Sequence, residues 1–200
     1  MLTVADAVLA APPRLGDVRA LAVDGPSGSG KSSFATRLAA ELTGRGVRVC
    51  VLATDDIATW ADPAGWWPRM VTGVLDPVRA GRAGRYRRTE WITGVPRPGG
   101  FVDVPVPEVL ILEGVTSGRV SVRDRMSLLV WVEVTDPAVR LSSAVARDGP
   151  DSRADLENWQ EFERGWFAVD TPEAVADIRL VGPRPELLTP LVRVVSDTSG

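Results

Sequence analysis

The stretch Ala20 to Ser33 constrains this chain more than any other part of it. A short apolar run ends in Val23 and Asp24, and then come Gly25, Pro26, Ser27, Gly28, Ser29, Gly30, Lys31 and Ser32. These eight residues match every fixed position of the phosphate-binding pattern G-x-x-x-x-G-K-[ST]. Beyond them Phe34, Leu38 and Leu42 recur at helical spacing. The pattern therefore lies between a predicted strand and a predicted helix, the context it requires.

The residue types carry the chemistry. Glycines let the backbone turn where a Cβ would forbid it, so successive N–H groups can surround phosphate oxygens. The helix that follows adds its unpaired N-terminal N–H groups and the positive end of its dipole. Gly25 through Ser33 are thus the candidate residues for binding ATP. Lys31 would put a point charge on the β- and γ-phosphates, and Ser32 would offer a hydroxyl to Mg²⁺. Lys31 is the single lysine among 23 basic residues, so the one ammonium side chain falls in this loop.

Composition bounds the partners. Two hundred residues suit one domain, 1–200, long enough to bury a sizeable core. The formal net charge of −3 argues against sequence-independent binding of nucleic acid, which needs excess Lys and Arg. No apolar run approaches the roughly twenty residues of a membrane span. The lone cysteine, Cys50, excludes an intrachain disulfide and fits a reducing, cytoplasmic setting. With no histidine in the chain, a base near neutral pH is expected to be a carboxylate. Asp6 interrupts the first apolar run, so residues 1–13 read as a short helix opened by Thr3 and Asp6 rather than a targeting segment.

Strand and helix signals alternate along the chain. Val47–Ala53 reads as a buried strand ending in Thr54, Asp55 and Asp56. Val109–Leu112 is a second, followed by Glu113 and Gly114, and Leu128–Val134 a third. Helices are predicted from Pro137, over Leu156–Val169 and, shorter, over Val74–Ala80. Ile178–Val181 is a last strand, followed by an apolar stretch at 187–195. The irregular segment 57–100 holds four tryptophans and a basic cluster from Arg79 to Arg88, with 94–100 as the turn of a hairpin. This order implies an α/β fold, a parallel sheet flanked by helices with a helical lid near 147–155. In such folds ligands bind beyond the carboxyl ends of the strands.

Three acidic sites fall at those ends. Asp55 is the first candidate for a general base that orients an attacking hydroxyl, with Asp56 beside it for water or substrate. Glu113 is the candidate metal partner of Ser32. Asp24, against the loop, reads as a brace. Arg140, Arg147 and Arg153 could stabilise a transferring phosphoryl group, Arg147 and Arg153 from the lid and Arg140 toward the substrate. Tyr86, Arg88 and Trp91 are candidates for an acceptor pocket, whereas Trp159 and Trp166 read as core. Caps, exposed helix faces and packing are the competing explanations for these same residues.

The start Val23 to Ser32, Thr54-Asp55-Asp56, Tyr86-Arg87-Arg88-x-x-Trp91, Leu112-Glu113-Gly114, and Arg140-Leu141 followed by Ala146-Arg147-Asp148 together resemble the uridine kinase family of P-loop kinases. The resemblance runs from about Leu21 to Val181. It implies a P-loop kinase fold, Asp55 as base, Ser32 and Glu113 around Mg²⁺, Arg147 and Arg153 as lid arginines, and Tyr86 near the acceptor. Departures lie at the acceptor end: Asp56-Ile57-Ala58 stands where an aromatic pair is usual, Ser142-Ser143-Ala144 where lid arginines are, and histidine is absent. The expected activity is transfer of the ATP γ-phosphate to a hydroxyl of a small molecule, with a nucleoside first. Another small acceptor, anionic ones included because of the arginine cluster, and a P-loop ATPase switch are the alternatives. Monomer and homo-oligomer both stay open.

Overall fold

The computed structural model describes residues 3–92, 94–183 and 189–192, the last four as backbone. Helix α1 (Val4–Ala10) opens with the expected capping box between Thr3 and Asp6. Strand β1 (Arg19–Asp24) leads through the glycine-rich loop into α2 (Lys31–Gly44), and β2 (Val49–Ala53) follows. A helical stretch in three pieces comes next: α3 (Trp67–Met70), a π-helical turn at Val71–Leu75, and α4 (Asp76–Arg79). Strands β3 (Gly84–Ile92) and β4 (Val95–Val104) form a separate antiparallel hairpin. The rest comprises β5 (Val109–Glu113), β6 (Leu128–Val134), α5 (Pro137–Asp148), α6 (Arg153–Asp170), α7 (Pro172–Val175), β7 (Ile178–Gly182) and β8 (Thr189–Val192).

The main sheet runs in the order β2-β5-β1-β6-β7-β8. Its first five strands are parallel, and β8 closes the edge antiparallel to β7. Alternation along the strands divides the core in two. Leu21, Val23, Ile111, Val130 and Val132 face α1 and α2, where Val8, Ala35, Leu38 and Leu42 cover them. Ala20, Ala22, Leu110, Leu112 and Trp131 face the other way, onto Trp66, Trp67, Met70, Val74 and Leu75. A sheet covered on both faces is why its strands read as continuous apolar runs rather than alternating ones.

The chain leaves β1 for β2 on one side and later returns across β1 to β6 on the other. The strand order therefore reverses at β1, where a crevice opens beyond the carboxyl ends. Register brings those ends level, because Glu113 of β5 sits opposite both Val23 of β1 and Ala53 of β2. Asp24 ties the turns beyond them together. It is fully buried and accepts the N–H groups of Gly25 at 2.7 Å, Thr116 at 3.2 Å and Gly118 at 2.8 Å.

Most expected elements are present within a residue or two. The hairpin differs: β3 runs to Ile92 and β4 already begins at Val95, so the expected turn at 94–100 is mostly strand, and Pro96 and Pro98 fall inside β4. Proline is tolerated there because a two-stranded ribbon has unpaired edges. Of the apolar stretch expected at 187–195, only 189–192 lies within the described residues.

Burial pushes the Asp24 carboxyl up to about 6 from an ordinary 3.8, against the three N–H donors and Lys31, which pull it down. The folded chain then holds a proton that the unfolded chain has released, so Asp24 costs stability as pH rises through that window. Relative to Asp24→Asn, the wild-type unfolding free energy should fall by at most about 1.4 kcal/mol per pH unit between pH 4 and 6 and level off above. Urea titrations of both proteins across that range measure it.

Candidate active site

A cavity of about 1250 Å³ opens beyond β1, β2 and β5. At one end lie Ser27, Gly28, Gly30, Lys31, Ser32 and Ser33 of the loop and first turn of α2. Gly28 and Gly30 adopt φ of 74° and 87°, and Gly25 one of 139°. Two of these have no room for a side chain. A Cβ on Gly25 would collide with the Val132 carbonyl, and one on Gly28 with the Arg140 carbonyl. Gly25, Pro26 and Ser29 form the back of the loop, and the Ser29 hydroxyl accepts the Val134 N–H at 3.2 Å. Lys31 is buried and its ammonium donates to the Pro26 carbonyl at 2.9 Å.

Asp55, Glu113 and Arg147 line the same cavity and lie close enough to interact electrostatically. Glu113 is 7 % exposed, and its pKa is raised by burial and by Asp55, while Lys31, Ser32 and Arg147 oppose the rise. Asp55, in the short 3-10 turn after β2, is exposed to the cavity. Arg147 reaches it from the end of α5. An ion pair with Asp148 at 2.6 Å holds its guanidinium more firmly charged, with further attraction from Asp55 and Glu113. The donors near Ser32 are carboxylate and hydroxyl oxygens, the hard ligands that Mg²⁺ takes, usually with one or two carboxylates and the rest water or phosphate. No group of three or more His, Cys, Asp or Glu gathers to hold a metal by itself among the described residues. Ser32 and Glu113 therefore fit a Mg²⁺ that arrives with phosphate.

The far end is aromatic and acidic. Trp60, Trp91 and Trp159 line it, with ring centroids 5.4 Å apart for Trp60 and Trp91 and 5.6 Å for Trp60 and Trp159. Trp159, read from sequence as core, packs on the core and also forms cavity wall. Asp56, Asp151 and Asp155 also line the cavity, and Asp155 lies one helical turn before Trp159 on α6.

Several candidates lie elsewhere. Arg140 is 9 % exposed and turned back under its own helix, donating to the Val134 carbonyl at 2.6 Å. It does not line the cavity, which corrects its reading as a substrate ligand. Side chains near a helix start point toward the N-terminus, and here that direction leads to the end of β6. Arg153 is likewise outside the cavity, paired with Glu157 at 3.4 Å on the outer face of α6. Tyr86 and Arg88 act one step back: the Tyr86 hydroxyl donates to Asp56 at 2.8 Å and Arg88 pairs with it at 3.2 Å. Burial and the Asp56 carboxylate raise the Tyr86 pKa, keeping the phenol protonated as the donor. The remaining basic residues of the cluster also stay out. Arg85 pairs with Asp103 and Arg87 donates to the Gly99 carbonyl.

One residue escaped the sequence reading. Glu163 of α6 is 2 % exposed and accepts the Ser27 N–H at 2.8 Å. Burial raises its pKa, opposed by Lys31, Ser27 and Arg140. Its signal was its place seven residues after buried Leu156, on the helix face that meets the rest of the molecule.

This geometry is that of a P-loop kinase-like fold. Solved structures share it. A possible uridine kinase from Bacillus stearothermophilus superposes with a TM-score of 0.59 at 19 % identity, covering 88 % of this chain and 94 % of that one. A protein described as a fructose transport system kinase, from a Silicibacter species, gives 0.57 at 21 %, covering 86 % and 93 %. D-glycerate 3-kinase from Cryptococcus neoformans gives 0.57 at 14 %, covering 88 % and 90 %. No protein-family model matches the sequence, and no curated protein matches it significantly. Among the described residues no helix is long and apolar enough to cross a membrane.

Removing the Tyr86 hydroxyl leaves Asp56 half paired beside the cavity. Tyr86→Phe should lower stability by about 1–2 kcal/mol, the scale of a hydrogen bond to a charged group. Chemical denaturation checks it.

Proposed function

We propose that this chain is a kinase that moves the γ-phosphate of ATP onto a hydroxyl of a small, ring-bearing molecule, with a nucleoside as the leading acceptor. The observation that carries this reading is one continuous cavity lined by the glycine-rich loop, by Asp55 and by an aromatic wall of Trp60, Trp91 and Trp159. The solved kinases that share the fold support it in kind, and their different acceptors leave the substrate to the local residues.

In this reading the acceptor hydroxyl lies against Asp55. Its oxygen forms the new bond to the γ-phosphorus as the bond to the β-phosphate oxygen of ADP breaks. The hydroxyl proton passes to Asp55, and the electron pair leaves on ADP. Lys31 and Arg147 stabilise the negative charge that spreads over the transferring group. Mg²⁺ would be held by Ser32 and Glu113 and would supply charge neutralisation between the phosphates. Glu113, nearer the metal ligand than the acceptor end, leaves Asp55 as the base.

The charge of the far end bears on the acceptor. Asp56, Asp151 and Asp155 line the same cavity as the three tryptophans, and the arginines of 79–88 do not. Asp56 already has its cation in Arg88. An acceptor with a flat uncharged or cationic ring would stack on Trp60, Trp91 or Trp159. An anionic acceptor would meet carboxylates, which removes the support that the arginine cluster lent it.

Two outcomes follow. Asp55→Asn should leave ATP binding nearly intact and lower turnover by about 10² or more, the scale of general-base catalysis. Unchanged turnover would remove Asp55 from the mechanism. In coupled assays of ADP release, uncharged nucleosides should be used at least about tenfold better than their 5′-monophosphates, since a like charge in a carboxylate-lined pocket costs more than 1.4 kcal/mol. A preference for the monophosphates would overturn the proposed polarity of the acceptor end.

A further inference from the structure

The Pro26–Ser27 peptide unit is held at both ends by buried side chains, a donor on one side and an acceptor on the other. Its carbonyl accepts the Lys31 ammonium at 2.9 Å, and its N–H donates to the Glu163 carboxylate at 2.8 Å. Lys31 comes from the start of α2, whereas Glu163 comes from the middle of α6, 136 residues after Ser27. Both side chains are buried, at 7 % and 2 % exposure, so neither contact is weakened by water.

The two holds differ in what nucleotide does to them. In the proposed reaction Lys31 turns from the Pro26 carbonyl to phosphate oxygens, so its hold is lost as ATP binds. Glu163 has no such second task. The peptide is flanked by Gly25 and Gly28, residues whose backbone is the most permissive in the chain. Once Lys31 leaves, the Pro26 carbonyl keeps only a long contact from the Ser29 N–H, at 3.4 Å, and Glu163 remains the buried side chain on this peptide. A carboxylate accepts an N–H and repels a carbonyl, so Glu163 admits one orientation of this peptide and opposes its reverse. The residues that follow, Gly28, Gly30, Lys31, Ser32 and Ser33, line the cavity, so the orientation of this peptide sets how the loop meets it.

We propose that Glu163 is a positioning residue for nucleotide: it fixes the Pro26–Ser27 peptide in the orientation that lets the loop take phosphate. The inference rests on the reading of the loop as an ATP site. Glu163 touches no reacting atom and acts through the backbone N–H and the side chain of Ser27. It also makes the nucleotide end of the cavity depend on α6, the helix that contributes Leu156 and Trp159 to the acceptor end.

Calorimetric titration with the non-hydrolysable analogue adenylyl imidodiphosphate and Mg²⁺ tests this on the full chain. Glu163→Met keeps the bulk and removes the acceptor. Glu163→Asp keeps the charge and withdraws the oxygen by one methylene. Each should weaken binding by about tenfold or more, the scale of one hydrogen bond to a buried charge. Glu163→Gln retains an acceptor oxygen and should bind within about threefold of wild type. Thermal melts identify which variants are folded, and Glu163→Asp carries the test if Glu163→Met does not fold. Wild-type affinity in a folded Glu163→Met or Glu163→Asp would overturn the positioning role and leave the ATP reading intact. Equal loss in Glu163→Gln would overturn the hydrogen bond as its basis. Failure of the wild type itself to bind would overturn the ATP reading, and this inference with it.

Discussion

The buried carboxylate of Asp24 is the interaction on which the site depends. One side chain, with no access to water, gathers backbone donors from two turns that are about ninety residues apart in sequence. One turn starts the phosphate-binding loop and the other follows Glu113. The Glu113 turn is also strained. Thr116 takes a φ of 74°, unusual for a β-branched residue, and its hydroxyl accepts the Trp67 indole N–H at 2.8 Å. A Cβ on Gly114 would collide with the Thr54 side chain, so β2 and β5 also close together there. Lys31, Ser32, Asp55 and Glu113 are brought to one place by contacts of Asp24, Thr116, Trp67 and Thr54 that lie behind them.

Charge is distributed unevenly over the cavity. Its end at the glycine-rich loop has the single lysine of the chain and the N-terminus of α2. Its far end has carboxylates and three indole rings. The division suits a reaction in which a polyanion and an uncharged or cationic acceptor meet from opposite sides. The arginine cluster on the hairpin contributes through Arg88, which neutralises Asp56, rather than by entering the cavity. Helix α6 spans both ends, and Glu163 links it to the loop.

Much of this was legible in the sequence because it rests on local rules. Fixed-position glycines and Lys31 mark the loop, apolar runs mark β1, β5 and β6, and acids at strand ends mark Asp55 and Glu113. The hairpin register was not legible, because prolines inside β4 imitate a turn. Arg140 was misread because spacing along a helix does not give the direction in which a long side chain runs. Glu163 was missed because a glutamate on a helix is ordinarily solvated, and only the fold shows that its face is covered. The aromatic wall was divided for a similar reason. Trp60, Trp91 and Trp159 come from three separate segments, and nothing in their spacing joins them.

The central claim is that phosphate leaving ATP ends on an organic hydroxyl. Incubation with ATP labelled by ¹⁸O in the γ-phosphate, Mg²⁺ and a panel of nucleosides, followed by mass spectrometry, tests it directly. The label should appear in a phosphomonoester of one of the added acceptors. Label found only in inorganic phosphate, with every acceptor unchanged, would contradict the account.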